Sequence, residues 1–348
     1  MIDYTNSTLE AAAVHSVGNK KNDQELTLSK SLLDTSSEKV RELLFRYFLS
    51  PFTNPEFYTF TFSNEDFLLN PLYIFASHIF ENPETLHDNS VNVAKHLYEL
   101  SVHPQIKSGD LFVVYFSDLK VSGETTDAIG LFKSENRQAF LKLDNNRDDF
   151  SIQHEEGINV DKLDKGCLIL NTGKESGYKV CIIDKSSKAA EAQYWKDSFL
   201  QLKPCSDEYH HTKEFMTITK NFVTQKLTED FDVSKADQID LLNRSVKYFK
   251  AHETFDKKDF EDDVFQNKEV INAFRNYDEV YRDENDIDIN DSFEISPQAV
   301  KKQTRVFKSV LKLDKNFHIY IHGNTELIEH GVEKDGRKFY KIYFENEA

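Results

Sequence analysis

Metal chemistry is the first possibility raised by the histidines and carboxylates of this sequence. His318 and His322 lie four residues apart in the alternating run Phe317–His322, so they share one face of a strand. On a strand that spacing separates them by about 13 Å, too far for one ion. His330 could approach either through a turn, but zinc wants about four ligands at about 2 Å and no cysteine is near. His210 and His211 are adjacent and point about 100° apart on a helix. The acids Asp283, Glu284, Asp286, Asp288 and Asp291 come close to a twelve-residue calcium loop ending at Glu294. Ile287 then stands where a ligand belongs and Asp288 where the tight turn needs glycine, so a solvated acidic linker is the better reading. Lys174-Glu175-Ser176-Gly177 is a hairpin turn, because no GxxxxGK[ST] pattern precedes a helix. No GxSxG or HExxH pattern occurs. These residues predict no catalytic residues, no metal and no cofactor.

The remaining polar chemistry is cationic. The chain has 348 residues and a formal net charge of −17, which argues against a simple DNA-coating protein. The charge is unevenly spread, however, and distribution matters more than the sum. Residues 253–294 hold fifteen acids against five bases, whereas residues 295–348 hold ten bases against seven acids. Lys301, Lys302, Arg305, Lys308, Lys312 and Lys315 oppose only Asp314. With His318, His322, Arg337 and Lys338 they form a candidate nucleic-acid or partner surface, interleaved with Tyr320 and Tyr340. The same residues also serve as the wet face of an ordinary sheet. Lys20 and Lys21 follow His15 and the Gly18-Asn19 turn, a second candidate phosphate contact; a solvated turn is the simpler reading. The two segments either neutralise each other across a contact, a pairing that would also mask the basic one from nucleic acid, or leave a free basic surface.

The elements that must position these residues imply an α+β fold. Residues 8–34 read as short strands about Gly18-Asn19, with helix an alternative for LEAAAVH. A helix capped by Ser36 or Ser37 runs to Leu49 with Val40, Leu43, Leu44, Tyr47 and Phe48 as an apolar stripe. Asn64 is a candidate cap for the next helix, which Pro71 interrupts or restarts, and Ser90–Leu100 is a further helix. Six strand-like runs between residues 110 and 184 are separated by intervals too short for crossover helices, which implies an antiparallel meander. A helix at 190–200 carries the only Trp, Trp195. Residues 207–291 read as helical, with a capping box at Ser234 and Asp237, and Ser296-Pro297 opens another helix. The last stretch, from Val306, reads as a small antiparallel sheet, for which the acidic helices are the expected cover. Two domains are expected: 1–200, α+β with a largely antiparallel sheet, and 201–348, helices followed by the small sheet.

The final stretch, FKSVLKLDKNFHIYIHGNTELIEHG followed by DGRKFYKIYF, resembles the C-terminal signature of the bacterial nucleoid-associated protein family of NdpA type. His15 to Lys20, Leu28-Ser29, Leu97-Tyr98, the Ile106–Phe116 run and AEAQYWKDSFL agree with it in order, so the resemblance spans essentially the whole chain. It implies a cytoplasmic, nucleoid-located, non-enzymatic protein that binds double-stranded DNA or DNA-bound proteins. The rivals are a module that binds only protein partners and, less well supported, a metal-dependent nucleic-acid-processing enzyme. No stretch is long and apolar enough for a membrane span, and MIDYTNSTLE lacks the pattern of a signal peptide. Cys167, Cys181 and Cys205 are widely spaced and read as reduced buried thiols. A homo-oligomer, most simply a homodimer, is expected, because two copies of a modest basic patch grip a duplex better than one.

Overall fold

A computed structural model describes residues 2–53, 55–63, 66–121, 123–146, 149–185, 194–307, 310–321 and 327–346. The chain divides into two compact units, Met1–Cys205 and Ser206–Ala348. The architecture is α+β, with a mixed sheet-and-helix unit first and a helical unit with small C-terminal antiparallel sheets second.

The first unit is built on a nine-stranded antiparallel sheet. Its strands are β1 (Ile2–Asp3), β2 (Thr8–Val17), β3 (Leu26–Thr27), β4 (Phe57–Phe60), β5 (Gly109–Val121), β6 (Glu124–Ser134), β9 (Lys165–Leu170), β10 (Lys179–Asp184) and β11 (Leu202–Pro204). Their spatial order is β11-β4-β10-β9-β6-β5-β2-β3, with β1 beside β5. The run LFVVYF in β5 explains why the sheet is covered on both sides. Leu111, Val113 and Tyr115 enter one core, whereas Phe112, Val114 and Phe116 enter the other. Side chains alternate along a strand, so a continuous apolar run needs apolar partners on both faces. On one face lie α2 (Pro71–Glu81), α3 (Leu86–Leu100) and the π-helical turn Tyr194–Leu200 bearing Trp195. On the other lies α1 (Glu38–Leu49), where Phe48 stacks on Phe132 at 4.3 Å.

LEAAAVH is strand: Ala12 and Ala13 are fully buried in β2, and two-sided burial outweighs alanine's helix preference. Asn70, with Pro71 in the first turn, opens α2. Its Oδ1 accepts from the N–H groups of Leu72 and Tyr73, and its Nδ2 donates to the carbonyls of Thr61 and Leu200. Asn64 lies outside the described residues.

All six runs between 110 and 184 are strands, but they do not form one meander. β7 (Arg137–Asn146) and β8 (Asp149–Ile158) leave the sheet as a separate two-stranded hairpin, and β6 pairs directly with β9 across the gap. The alternation within each strand is the same whether or not it stays in the sheet, so sequence pattern alone does not reveal the departure.

The second unit opens with α4 (Glu208–Asn221), which continues through the π-helical turn Phe222–Lys226 to a last turn, Leu227–Asp230. There follow α5 (Lys235–Ala251), β12 (Thr254–Asp256), α6 (Lys257–Val264), α7 (Lys268–Asn285), β13 (Ser292–Glu294) and α8 (Pro297–Thr304). Ser234 and Asp237 form the expected capping box on α5. The core is aromatic, with Phe215 in contact with Phe255, Phe260 and Phe274, and Phe255 stacked on Phe293 at 4.6 Å.

Candidate nucleic-acid interface

The C-terminal basic residues sit on α8 and on two separate hairpins rather than on one small sheet. Ser296 caps α8 by accepting from the Ala299 N–H, and Pro297 occupies the first turn, where its missing N–H costs nothing. Ala299 and Val300 turn inward, leaving Lys301, Lys302 and Arg305 exposed at the helix C-terminus, where cations suit the helix dipole. The Lys302 ammonium lies 5.8 Å from the Tyr209 ring centroid.

The first hairpin pairs β14 (Val310–Leu313) with β15 (Phe317–Tyr320) in the register Leu311 to Ile319 and Lys312 to His318. Leu311 is buried and Ile319 half-buried, so the opposite face presents Lys312, His318 and Tyr320 to solvent. Lys312 and His318 are therefore direct cross-strand neighbours, a pair that the sequence placed on one surface without giving the register. Lys315 is exposed in the intervening turn, beside Asp314 at a φ of 49°. Lys308 and His322 lie outside the described residues.

The second hairpin pairs β16 (Ile328–Val332) with β17 (Lys338–Ile342). Its cations are largely answered locally: Arg337 Nε lies 2.7 Å from Asp335, and Lys341 Nζ lies 3.3 Å from Glu329. Lys338 is exposed.

Helix α5 supplies the cover for these hairpins. Ala236 and Ile239 pack with Leu311 and Ile321, and half-buried Ile328 and Tyr340 join them. Asn243 Nδ2 donates to the Ile321 carbonyl at 3.1 Å. The expected acidic cover is thus corrected: α5 is itself basic, with Lys247 and Lys250 exposed, and Ala236 and Ile239 near its start meet the hairpins while Leu242 and Phe249 face the aromatic core.

Asp283, Glu284, Asp286, Asp288 and Asp291 are exposed at the end of α7 and in its connection to β13, as a solvated acidic linker would be, whereas the acidic segment before them is folded. Glu261, almost wholly buried, accepts from Arg275 at 2.6–3.1 Å. Asp278, also buried, accepts from Lys257 Nζ at 2.6 Å and Arg282 Nε at 2.7 Å. Arg282 Nη1 also donates to the Ile289 carbonyl. A charge survives burial only when paired, and here the partners come from the segment itself. These groups line a cavity of about 560 Å³ whose walls mix cations (Lys257, Lys258, Arg275, Arg282) with carboxylates, leaving no single sign to attract an ion. Asp286, left-handed at a φ of 52°, ends α7, and buried Ile289 follows, so this stretch is built as a helix stop. Among the described residues no three His, Cys, Asp or Glu side chains converge to hold a metal.

In the first unit, Lys20 is paired with Glu99 and Lys21 is exposed. His15 is buried and offers no phosphate contact. Its Nδ1 accepts from the Ser29 N–H at 3.1 Å, which makes the ring a neutral Nε2–H tautomer. Nε2 then donates to Ser90 Oγ at 2.8 Å, and Ser90 donates to the His87 carbonyl. Burial, helped by the neighbouring His87, pulls the His15 pKa down to about 4. Its role is to tie β2 to α3 and the segment after β3. Cys167, Cys181 and Cys205 are buried.

A family model described as nucleoid-associated protein YejK matches residues 13–337. The chain belongs to this family of bacterial nucleoid-associated proteins. The match extends over both units, and it names the YejK family rather than the NdpA type that the motifs resemble. The class is not known to be catalytic. No curated protein matches the chain. Among the described residues no helix is long and apolar enough to cross a membrane.

Proposed function

We propose that this protein associates with the bacterial nucleoid by contacting DNA directly through the C-terminal unit, using α8 and the β14–β15 hairpin. The observation that carries this reading is the exposed trio Lys312, His318 and Tyr320, which follows closely on Lys301, Lys302 and Arg305. Ammonium and guanidinium groups supply phosphate contacts, and the aromatic ring supplies a stacking or groove contact. The local cations let a chain of net charge −17 approach a polyanion from one side while the rest of its surface repels it. No reaction is part of the proposal. The nucleoid is its site of action, and the bacterial cytoplasm its compartment.

A second reading has its own support. Val332, Ile342 and Phe344 are exposed in the second hairpin and the segment after it, a pattern that suits a protein partner already on DNA. Fluorescence anisotropy with a labelled duplex separates the two. Direct contact predicts binding by the wild type that weakens in Lys312→Glu and is unchanged in Val332→Ser. No binding by the wild type at low salt moves the function to the protein partner.

A further inference from the structure

The β7–β8 hairpin carries surface that a lone chain leaves in water. Its register places Leu141, Leu143, Phe150 and Ile152 on one face, together with Ala139, Asn145, His154 opposite Leu141, and Glu156 nearer the base. Leu141, Leu143, Phe150 and Ile152 are 70%, 68%, 75% and 62% exposed. The other face carries Gln138, Lys142, Asp144, Ser151, Gln153 and Glu155, with Phe140 as its one large apolar residue. The hairpin is therefore amphipathic, with ten residues in each strand and a length of about 34 Å. Two-stranded ribbons are marginal in water by themselves.

A second apolar feature adjoins the same face at its base. Ile158, on the apolar face, lines a groove of about 120 Å³ with Val160 and with Val40, Leu43 and Leu44 of α1. Val40 and Leu43 are 41% and 36% exposed, although they belong to the apolar stripe of α1. The groove is comparable in size to an aromatic ring, since a cavity of roughly 150 Å³ admits benzene. Each copy thus offers an aromatic tip, Phe150, and a groove at the foot of the arm.

We propose that the β7–β8 hairpin is a dimerisation arm, laid antiparallel against the same arm of a second copy, with the Phe150 tip of each filling the groove beside α1 of the other. Antiparallel apposition is isologous, so each tip-to-groove contact occurs twice and Leu141 at mid-arm faces its own counterpart. The four exposed side chains present roughly 500 Å² of apolar surface, the upper range for a patch on a monomer. Two arms together remove about 1,000 Å² from water, the least that a specific interface needs, and the two grooves add to it. Nucleic acid is a poor occupant. Large apolar side chains dominate the outer half of the face, its carboxylate Glu156 would repel phosphate, Arg137 at its base is held by Asp110, and residues 137–158 carry five acids against three bases. A cover for a marginal ribbon must be present wherever the chain folds and in equal amount, which a second copy satisfies.

The test uses the full chain and reads mass by sedimentation velocity at micromolar concentration. The wild type should sediment with twice the 40.5 kDa mass of one chain. Leu141→Glu places two carboxylates against each other and should give a monomer, as should Leu43→Glu in the groove. Phe140→Glu, on the opposite face, should leave the dimer intact. All three positions are at least a third exposed in one chain, so circular dichroism should show an unchanged fold. A second measurement mixes Phe150→Cys chains with Leu43→Cys chains under mild oxidation. The native cysteines are buried, and a disulfide between the two kinds of chain is expected. A monomeric wild type, a dimer that survives both charge insertions, or no mixed disulfide would overturn the arm.

Discussion

Acidification should weaken the first unit through His15. The folded state holds this ring neutral with a pKa of about 4, whereas an unfolded chain has it near 6.5. The unfolded state therefore binds the extra proton first, and stability falls as pH drops through the window from about 6.5 to about 4. The shift corresponds to a loss of about 2 kcal/mol by pH 5 and about 3 kcal/mol by pH 4, levelling off below that. His15→Gln keeps a donor for Ser90 but loses the acceptor for the Ser29 N–H, costing about 1–2 kcal/mol at pH 7. It also removes the titration. The gap between variant and wild type should close by pH 5 and reverse by pH 4. Urea unfolding followed by fluorescence of Trp195, the only tryptophan and fully buried in this unit, reads the difference at each pH. A gap that stays constant from pH 7 to pH 4 would refute the reasoning.

Other perturbations test other contacts. Lys133 is fully buried, donates to the Lys107 carbonyl at 2.6 Å and lies 3.0 Å from Glu135, itself nearly buried. Lys133→Ala strands that carboxylate and should cost roughly 3–5 kcal/mol in urea unfolding, whereas Lys133→Met with Glu135→Gln should recover most of it. Asp278→Asn leaves Lys257 and Arg282 facing a neutral amide and should lower the stability of the second unit by about 3 kcal/mol, read as faster amide exchange in α7 with exchange in β5 unchanged. Gly177 has a φ of +91°, and a Cβ there would meet the Phe60 carbonyl oxygen at 2.9 Å. Gly177→Ala should cost about 1–3 kcal/mol and lower the melting temperature.

Local signals in this sequence translated well into local structure. Ser37, Ser234 and Ser296 all cap helices because their hydroxyls reach the free N–H groups of the first turn. The alternation of Phe317 and Ile319 with His318 and Tyr320 gave the right division of β15 into two faces, because period two survives in any sheet, although Phe317 on the inner face stays exposed. Pairing between distant segments was not legible. Nothing in Ala128–Phe132 states that β6 will skip two strands to pair with β9. Likewise Val40 and Leu43 read as core, since an apolar stripe does not say how much of itself the same chain will cover. The exposed acids from Asp283 to Asp291 were legible as a solvated connection, whereas the pairing of Glu261 with Arg275 was not, because they are fourteen residues apart and meet only where α6 lies beside α7. Of the candidate cations, Lys312 found its neighbour in His318 through the hairpin register, whereas Arg337 found its own counter-ion two residues away.

The most direct test of DNA contact is a salt series on duplex binding by the pure protein. Log Kd should rise linearly with log salt, with a slope of about 0.9 for each phosphate neutralised. The triple variant Lys301→Glu, Lys302→Glu, Lys312→Glu should lower that slope by about 2–3, in keeping with the loss of three contacts. A slope that the triple variant leaves unchanged, or no binding even at low salt, would contradict the assignment of this surface to DNA.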